Sequence, residues 1–392
     1  INALISTEVN LEDIHEAYKR IQGKQVLGVV VKYSHEHYTA ALPHESPLKL
    51  APKKIDVRFI PAVKDQLRVG IIGAGGFAKV KLLPIVSRLK NTKINAIVDT
   101  DIANSINVSQ LYCASKTYAN DDDLFVNDDV DVVVIASPHK YHCDQALKAM
   151  QHGKAVFVEK PMVTDFGQLA RFKEFFKKNK EFPFCVDYNR SFAPFIQKIK
   201  RLVSKRKAPI IIQYRMNAGF ISKEHWIQTD IGAGRIIGEA CHVFDLFCYL
   251  TEAKPLSVSV EALHASRDDL FPTDNFCAQI RFEDGSLCSL IYTAIGHSDL
   301  GKERMEIFFD GKSIVLDDYI RLFGFGVPSW FNETMSSQDK GHETLIQQFF
   351  SGLKQESFEP PISIQRLLLV AELTLIIDKL ACEDGGIKNL SL

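Results

Sequence analysis

The chain has 392 residues, 46% of them hydrophobic, and 47 Lys and Arg against 48 Asp and Glu give a formal net charge of −1. That size accommodates two domains with real cores, and the balanced charge argues against a nucleic-acid partner or a polybasic membrane contact. No apolar run approaches a membrane span, and the first residues lack the sections of a secretory signal, so a cytoplasmic protein is expected. The eight cysteines are scattered without a Cys-x-x-Cys pair, as expected of reduced, mostly buried thiols.

The first 66 residues fit neither domain. Asn10 is placed to cap a helix running to Ile21, and 24–33 reads as a strand. A linker with Pro, His and Lys runs from Ser34 to Asp65. It holds His35, His37 and His44, which lack both helical spacing and a Cys partner, so no metal site is expected. The chain opens on Ile rather than Met and is read as a fragment of something longer.

From Leu67 the texture alternates. Short runs at 67–72, 94–98, 131–136, 154–159 and 183–187 are rich in Val, Ile and Phe, as strands buried on both faces should be. Helical spacing fills the gaps at 77–90, 140–152 and 164–178, with Asp165 a first-turn acid. This rhythm predicts a parallel, doubly wound sheet. The first turn carries Gly73, Gly75 and Gly76, followed by Phe77 and Ala78 at a helix start. There Gly73 permits a sharp turn, Gly75 lets backbone approach a pyrophosphate, and Ala78 lets helix and strand pack closely. The helix start adds free N–H groups and a positive dipole end. Asp99 closes the second strand, where an acid can accept from ribose hydroxyls and favour NAD over NADP; its other reading is a cap for the following helix.

Three more segments are expected at the cofactor. Ser137, Pro138, His139 and His142 follow the strand at 131–136, at the carboxyl edge where ligands of such sheets bind. Capping by Ser137 and a satisfied core histidine at His142 are the plainer alternatives. Glu159, Lys160 and Pro161 end the next strand, where buried charges are costly unless paired or used. Lys160 is suited to bond a substrate oxygen, and Pro161 to fix the turn, with a cis Lys–Pro bond as one way of doing so. On a predicted helix at 235–250, Gly238, His242, Asp245 and Tyr249 share one face, with His242 as a general base and Asp245 orienting it or touching substrate.

Beyond Arg190 a helix at 194–204 precedes runs at 209–217, 256–264, 275–283, 287–295, 303–309 and 313–317, with turn signals at 283–286 and 310–312. Two helices, near 341–355 and 362–382, close the chain. The expectation is an open, mostly antiparallel sheet with helices on one face, whose other face calls for a dimer or tetramer. The division is therefore 1–35, a 36–66 linker, a 67–187 Rossmann domain and a 188–392 substrate and oligomerisation domain.

Glu159-Lys160-Pro161 and the glycine-led helix ending in His242 and Asp245 resemble the glucose–fructose oxidoreductase, inositol dehydrogenase and MocA family over about residues 66–385. The resemblance implies an NAD(P)-dependent dehydrogenase of a sugar, cyclitol or sugar nucleotide, with Lys160 and His242 as the catalytic pair. It also implies that Asn189 lines the cofactor cleft, that Arg190 and Asn217 line the substrate side, and that Trp226, beside His225, stands at the mouth. Many members carry an Asp where this chain has Gly238, and Glu239 points elsewhere on a helix. Residues 1–33 separately resemble the C-terminal end of medium-chain zinc-type alcohol dehydrogenases, as in fusions encoded among surface-polysaccharide genes. A non-catalytic dinucleotide or sugar sensor on the same fold is the rival reading.

Overall fold

The computed structural model describes residues 66–263, 270–355, 357–383 and 385–390, together with 7–10, 13, 15, 17, 19–20 and 29–32. The chain forms two units, 1–55 and 56–392. In the first, β1 (Thr7–Asn10) pairs in parallel with β2 (Val29–Lys32), and residues 15, 17, 19 and 20 between them are helical. Asn10 is thus the last residue of a strand rather than a helix cap. The linker and its three histidines lie outside the described residues.

The second unit opens with strands of three to seven residues. These are β3 (Leu67–Ile72), β4 (Thr92–Val98), β5 (Lys116–Tyr118), β6 (Val132–Ile135), β7 (Ala155–Val158) and β8 (Phe184–Val186). Among the described residues they form a six-stranded, wholly parallel sheet in the order β5-β4-β3-β6-β7-β8. β6, β7 and β8 are buried throughout, which is why they read as unbroken apolar runs. The short, polar β5 carries no such signal.

The connecting helices are α1 (Leu83–Arg88), α2 (Ile102–Leu111), α3 (Asp122–Phe125), α4 (His142–Gln151) and α5 (Phe166–Lys178). A π-helical turn, Ala78–Leu82, precedes α1. Asp165 caps α5 itself, accepting from Gln168 N at 2.8 Å, and Asp101 caps α2 through Asn104 N at 3.1 Å.

A helix α6 (Pro194–Val203) leads to a second sheet. Its strands are β9 (Ile211–Asn217), β10 (Pro255–Ala262), β11 (Phe276–Phe282), β12 (Leu287–Thr293), β13 (Glu303–Phe309), β14 (Lys312–Asp317), β15 (Arg321–Phe325), β16 (Glu333–Thr334) and β17 (Gly386–Asn389). Among the described residues the order is β16-β15-β14-β13-β9-β12-β11-β10-β17, antiparallel except for β9 beside β12. One face alternates inward: Ile212, Tyr214 and Met216 of β9 are buried with Met305 and Ile307 of β13. Helix α7 (Cys241–Thr251), preceded by a π-helical turn at Ile236–Ala240, and helix α9 (Ile364–Cys382) cover that side. Helix α8 (His342–Gly352) lies between them in sequence from β16 onward. Helix α9 packs on α7, on β10 and on α5, which joins the second sheet's helical layer to the parallel sheet. No helix among the described residues is long and apolar enough to cross a membrane.

Candidate active site

The carboxyl edge of the parallel sheet gathers the functional side chains. Gly73 holds φ +86°, and a Cβ there would lie 2.6 Å from the Ala136 backbone, so the loop after β6 seats directly against the glycine turn. At Gly75 and Gly76 no protein atom lies within 4 Å of where a Cβ would be. The turn is thus closed on the sheet side and open on the other, as a cradle for a pyrophosphate must be. Ala78 is buried and Phe77 exposed. Asp99 accepts from Ala74 N at 2.8 Å, Asn104 Nδ2 at 3.0 Å and Asp101 N at 2.9 Å, so it braces the glycine turn and is not the cap of α2.

In the loop after β6, Ser137 Oγ donates to Gln145 at 2.5 Å, and the His142 ring lies between the Pro161 and Ser137 carbonyls at 2.9 and 2.7 Å. His142 therefore binds this loop to the Lys160–Pro161 turn, whose peptide bond is cis. His139 donates from Nδ1 to the Gly232 carbonyl at 2.7 Å, and the half-exposed Trp226 packs edge-on against its ring at 4.9 Å. Burial, helped by the nearby Lys160 charge, pushes the His139 imidazole down to about 3.

Lys160 reaches from the end of β7 to the π-helical turn, where its ammonium donates to the Gly238 carbonyl at 2.7 Å. That turn ends two residues before His242. His242 is buried, with its ring edge against Tyr188 at 6.1 Å and no partner on Nδ1. Burial holds the ring well below the usual imidazole range, and Arg190, Lys160, His342 and Lys340 add to the effect. The result is a neutral imidazole in a cationic surround. It is an acceptor, and protonating it is costly.

Gly238 leaves the face shared by its helical neighbours. A Cβ on it would lie 2.8 Å from the His139 ring and 3.0 Å from Ile227, so an acid cannot stand there beside His139. Glu239 is occupied elsewhere: Lys302 at 2.5 Å, Arg235 at 3.2 Å and Tyr292 all bond it. Burial opposes its charge, but Lys302, Tyr292 and Arg235 hold the carboxyl at about 2.

Three residues expected on the substrate side have partners within the chain. Asp245 faces the same side of α7 as His242 but does not orient it. It is fully buried, accepts from Ser191 at 2.5 Å and pairs with Arg366 of α9 at 2.9 Å. Arg190 gives two nitrogens to Glu303 at 2.8 and 2.9 Å, a buried bidentate pair that Lys340 joins at 2.7 Å. Asn217 Nδ2 donates to His297 and Leu300 carbonyls at 2.8 and 3.0 Å and so pins the 296–300 loop. In each case the bonded neighbour lies 50 or more residues away, and Asn217 Oδ1 has no partner among the described residues.

His342 is the residue that sequence reasoning missed. Its Nδ1 donates to Asp187 at 3.0 Å, its Nε2 accepts from Asn189 at 3.1 Å, and its ring meets Phe77 of the glycine turn at 5.6 Å. Gly341, at φ +87°, brings this histidine in: a Cβ there would lie 2.5 Å from the Asn189 and Ala193 backbone. A glycine and histidine at the start of α8 are the only signal, and they say nothing of which strand they approach.

The parallel sheet with its open glycine turn is an NAD-binding Rossmann-type fold, and the comparisons agree. Residues 67–188 match GFO_IDH_MocA, the oxidoreductase family with an NAD-binding Rossmann fold. It is 26% identical over 237 residues to 1-carboxy-3-chloro-3,4-dihydroxycyclo hexa-1,5-diene dehydrogenase of Comamonas testosteroni, covering 59% of each chain. It is 26% identical over 196 residues to inositol 2-dehydrogenase of Corynebacterium glutamicum strain R, covering 50% of this chain and 57% of that one. The chain therefore spans less than two thirds of the length of these curated relatives. The crystal structure of myo-inositol dehydrogenase from Lactobacillus casei with NAD(H) and myo-inositol superposes with a TM-score of 0.69 over 83% of this chain and 97% of that one, at 18% identity. That last likeness concerns the fold.

Proposed function

We propose that the chain is an NAD-dependent dehydrogenase that transfers hydride from a hydroxyl-bearing carbon of a sugar, cyclitol or sugar nucleotide. The observation that carries the reading is the bond from the Lys160 ammonium to the turn that leads into the His242 helix, at the carboxyl edge of a sheet whose glycine turn is open, with His242 Nδ1 left without a partner among the described residues. The open face at Gly75 and Gly76 fits a pyrophosphate, and the Asp99 carboxylate favours a ribose hydroxyl over a phosphate. The bound dinucleotide would supply the hydride acceptor. Lys160 holds the substrate oxygen and stabilises negative charge developing on it, and His242 takes the hydroxyl proton at Nδ1. Phe77, Ser137, Pro138, His139, His142, Glu159 and Asn189 build the cofactor side, and Trp226 flanks the substrate at the mouth.

Dehydrogenases among the relatives act on ring hydroxyls by name, which supports the cyclitol and sugar class. A place in surface-polysaccharide synthesis follows from the sugar-nucleotide branch of the same reading. Eight free thiols support a cytoplasmic setting. The exposed apolar residues of the second sheet support a homodimer or homotetramer.

The test is a panel of inositols, sugars and sugar nucleotides with NAD, read by formation of reduced nicotinamide. Lys160→Ala should keep dinucleotide affinity within a few-fold and lose turnover by about 10²–10⁴. Unchanged turnover removes Lys160 from the mechanism. Tight NAD binding with no turnover across the panel favours the sensor.

A further inference from the structure

Two acids end neighbouring strands at the cleft floor. Glu159 follows β7 and Asp187 follows β8, adjacent in register after the Val158–Val186 pair. Both are buried, and Glu159 Oε1 and Asp187 Oδ1 have no hydrogen-bond partner among the described residues. Burial and the adjacent Asp187 carboxylate push the Glu159 carboxyl well up. Two neighbouring carboxyl groups can bond only through a proton. His342 donates to the remaining Asp187 oxygen, while Asn189 bonds the far ring nitrogen. The donated bond makes Asp187 the ionised partner.

We propose that Glu159 and Asp187 share one buried proton, and that the single negative charge they retain is a positioning charge for the cationic, oxidised nicotinamide. The charged and titratable groups around the pair are Lys160 beside Glu159, His342 from α8, and the Cys185 thiol on β8, which burial keeps protonated. Lys160 gives one of its three donors to the Gly238 carbonyl, and His342 gives its Nδ1–H to Asp187. The remaining cations of the cleft, Arg190 and Lys340, are matched by Glu303 only in part. Without the carboxyl pair, a cationic ring would enter a site of its own sign. The physical effect is differential: a charge at the ring stabilises the oxidised form over the neutral reduced form.

The proposal rests on the dinucleotide reading, but its first test needs no dinucleotide. Infrared spectra of the ligand-free full chain at neutral pH should show a buried carboxylic-acid carbonyl band that Glu159→Gln removes. An unchanged spectrum overturns the shared proton. Glu159→Gln retains the Asp187 charge, so its ratio of NAD+ to NADH affinity should stay within about twofold of wild type. The double variant Glu159→Gln/Asp187→Asn should lose on the order of tenfold in that ratio. Equal ratios in all three proteins overturn the positioning charge while leaving the dehydrogenase reading intact. Wild type that binds neither form overturns both. If the double variant does not fold, Asp187→Asn alone serves. Its ratio should fall as pH drops and Glu159 regains its proton, whereas a pH-independent ratio overturns the proposal.

Discussion

His139 shows how one side chain reshapes a site at the residue scale. Its ring fills the space beside Gly238, the position where the family resemblance leads one to expect an acid, and its Nδ1–H bond to the Gly232 carbonyl ties the 226–232 segment to the parallel sheet. The price is acid sensitivity. The folded protein holds His139 neutral down to about pH 3, while the unfolded chain takes up a proton below about 6.5. A histidine with its folded pKa lowered contributes stability that is intact above the unfolded pKa and is lost as pH falls from there toward the folded one. Between pH 7 and pH 5 the loss from this residue should be about 2 kcal/mol. Denaturant unfolding at both pH values, wild type against His139→Gln, should show that difference in slope. Parallel slopes would mean His139 is solvated. Arg190, Asn217 and Asp245 belong to the same scale. Each residue type suits substrate binding, and each also bonds a partner that another element brings up.

At the scale of elements, the two turns that shape the cleft are backbone devices. The glycine turn after β3 works because Gly73 admits the Ala136–Ser137 backbone, and the π-helical turn before α7 presents a carbonyl to Lys160 while turning Gly238 toward His139. Gly73→Ala should cost about 2–4 kcal/mol, combining a left-handed φ with a backbone clash. Gly76→Ala faces open space and should shift stability by about 0.5 kcal/mol or less. Its dinucleotide affinity should nevertheless fall at least about tenfold, one 1.4 kcal/mol step, because the new methyl stands where a phosphate would approach. Paired unfolding and binding titrations separate the two. Equal stability losses would mean that the cradle is no more open than the sheet side.

At the scale of the whole molecule, no helix among the described residues covers one face of the second sheet. Cross-strand register aligns Ile211 with Phe308, and Phe308 with Phe325 through Ser313, while Phe323 pairs with Val315 one row on. With Ile291 these make an exposed apolar patch that alternates with the buried core positions of the same strands. Phe325→Lys with Phe308→Lys should convert the protein to a smaller species in light scattering on a sizing column, with the unfolding midpoint of the separated subunit lowered. An unchanged mass, or a monomeric wild type at micromolar concentration, would remove this face as the contact.

The amino-acid sequence by itself determined the alternation of buried strands and helices, the glycine turn, and the place of Lys160 at the end of a buried strand, because periodicity and turn chemistry are local properties. It also marked Asp165 as a helix-start acid and 283–286 and 310–312 as turns. It did not reveal β5, β15, β16 or β17, whose short or exposed strands lack a continuous apolar run. Only the tertiary structure decided which polar groups are free. Asp245 meets Arg366, Arg190 meets Glu303, and Asp187 meets His342 across separations of more than 100 residues. A buried charge takes its role from whatever partner folding delivers, and no spacing rule along the chain encodes that meeting.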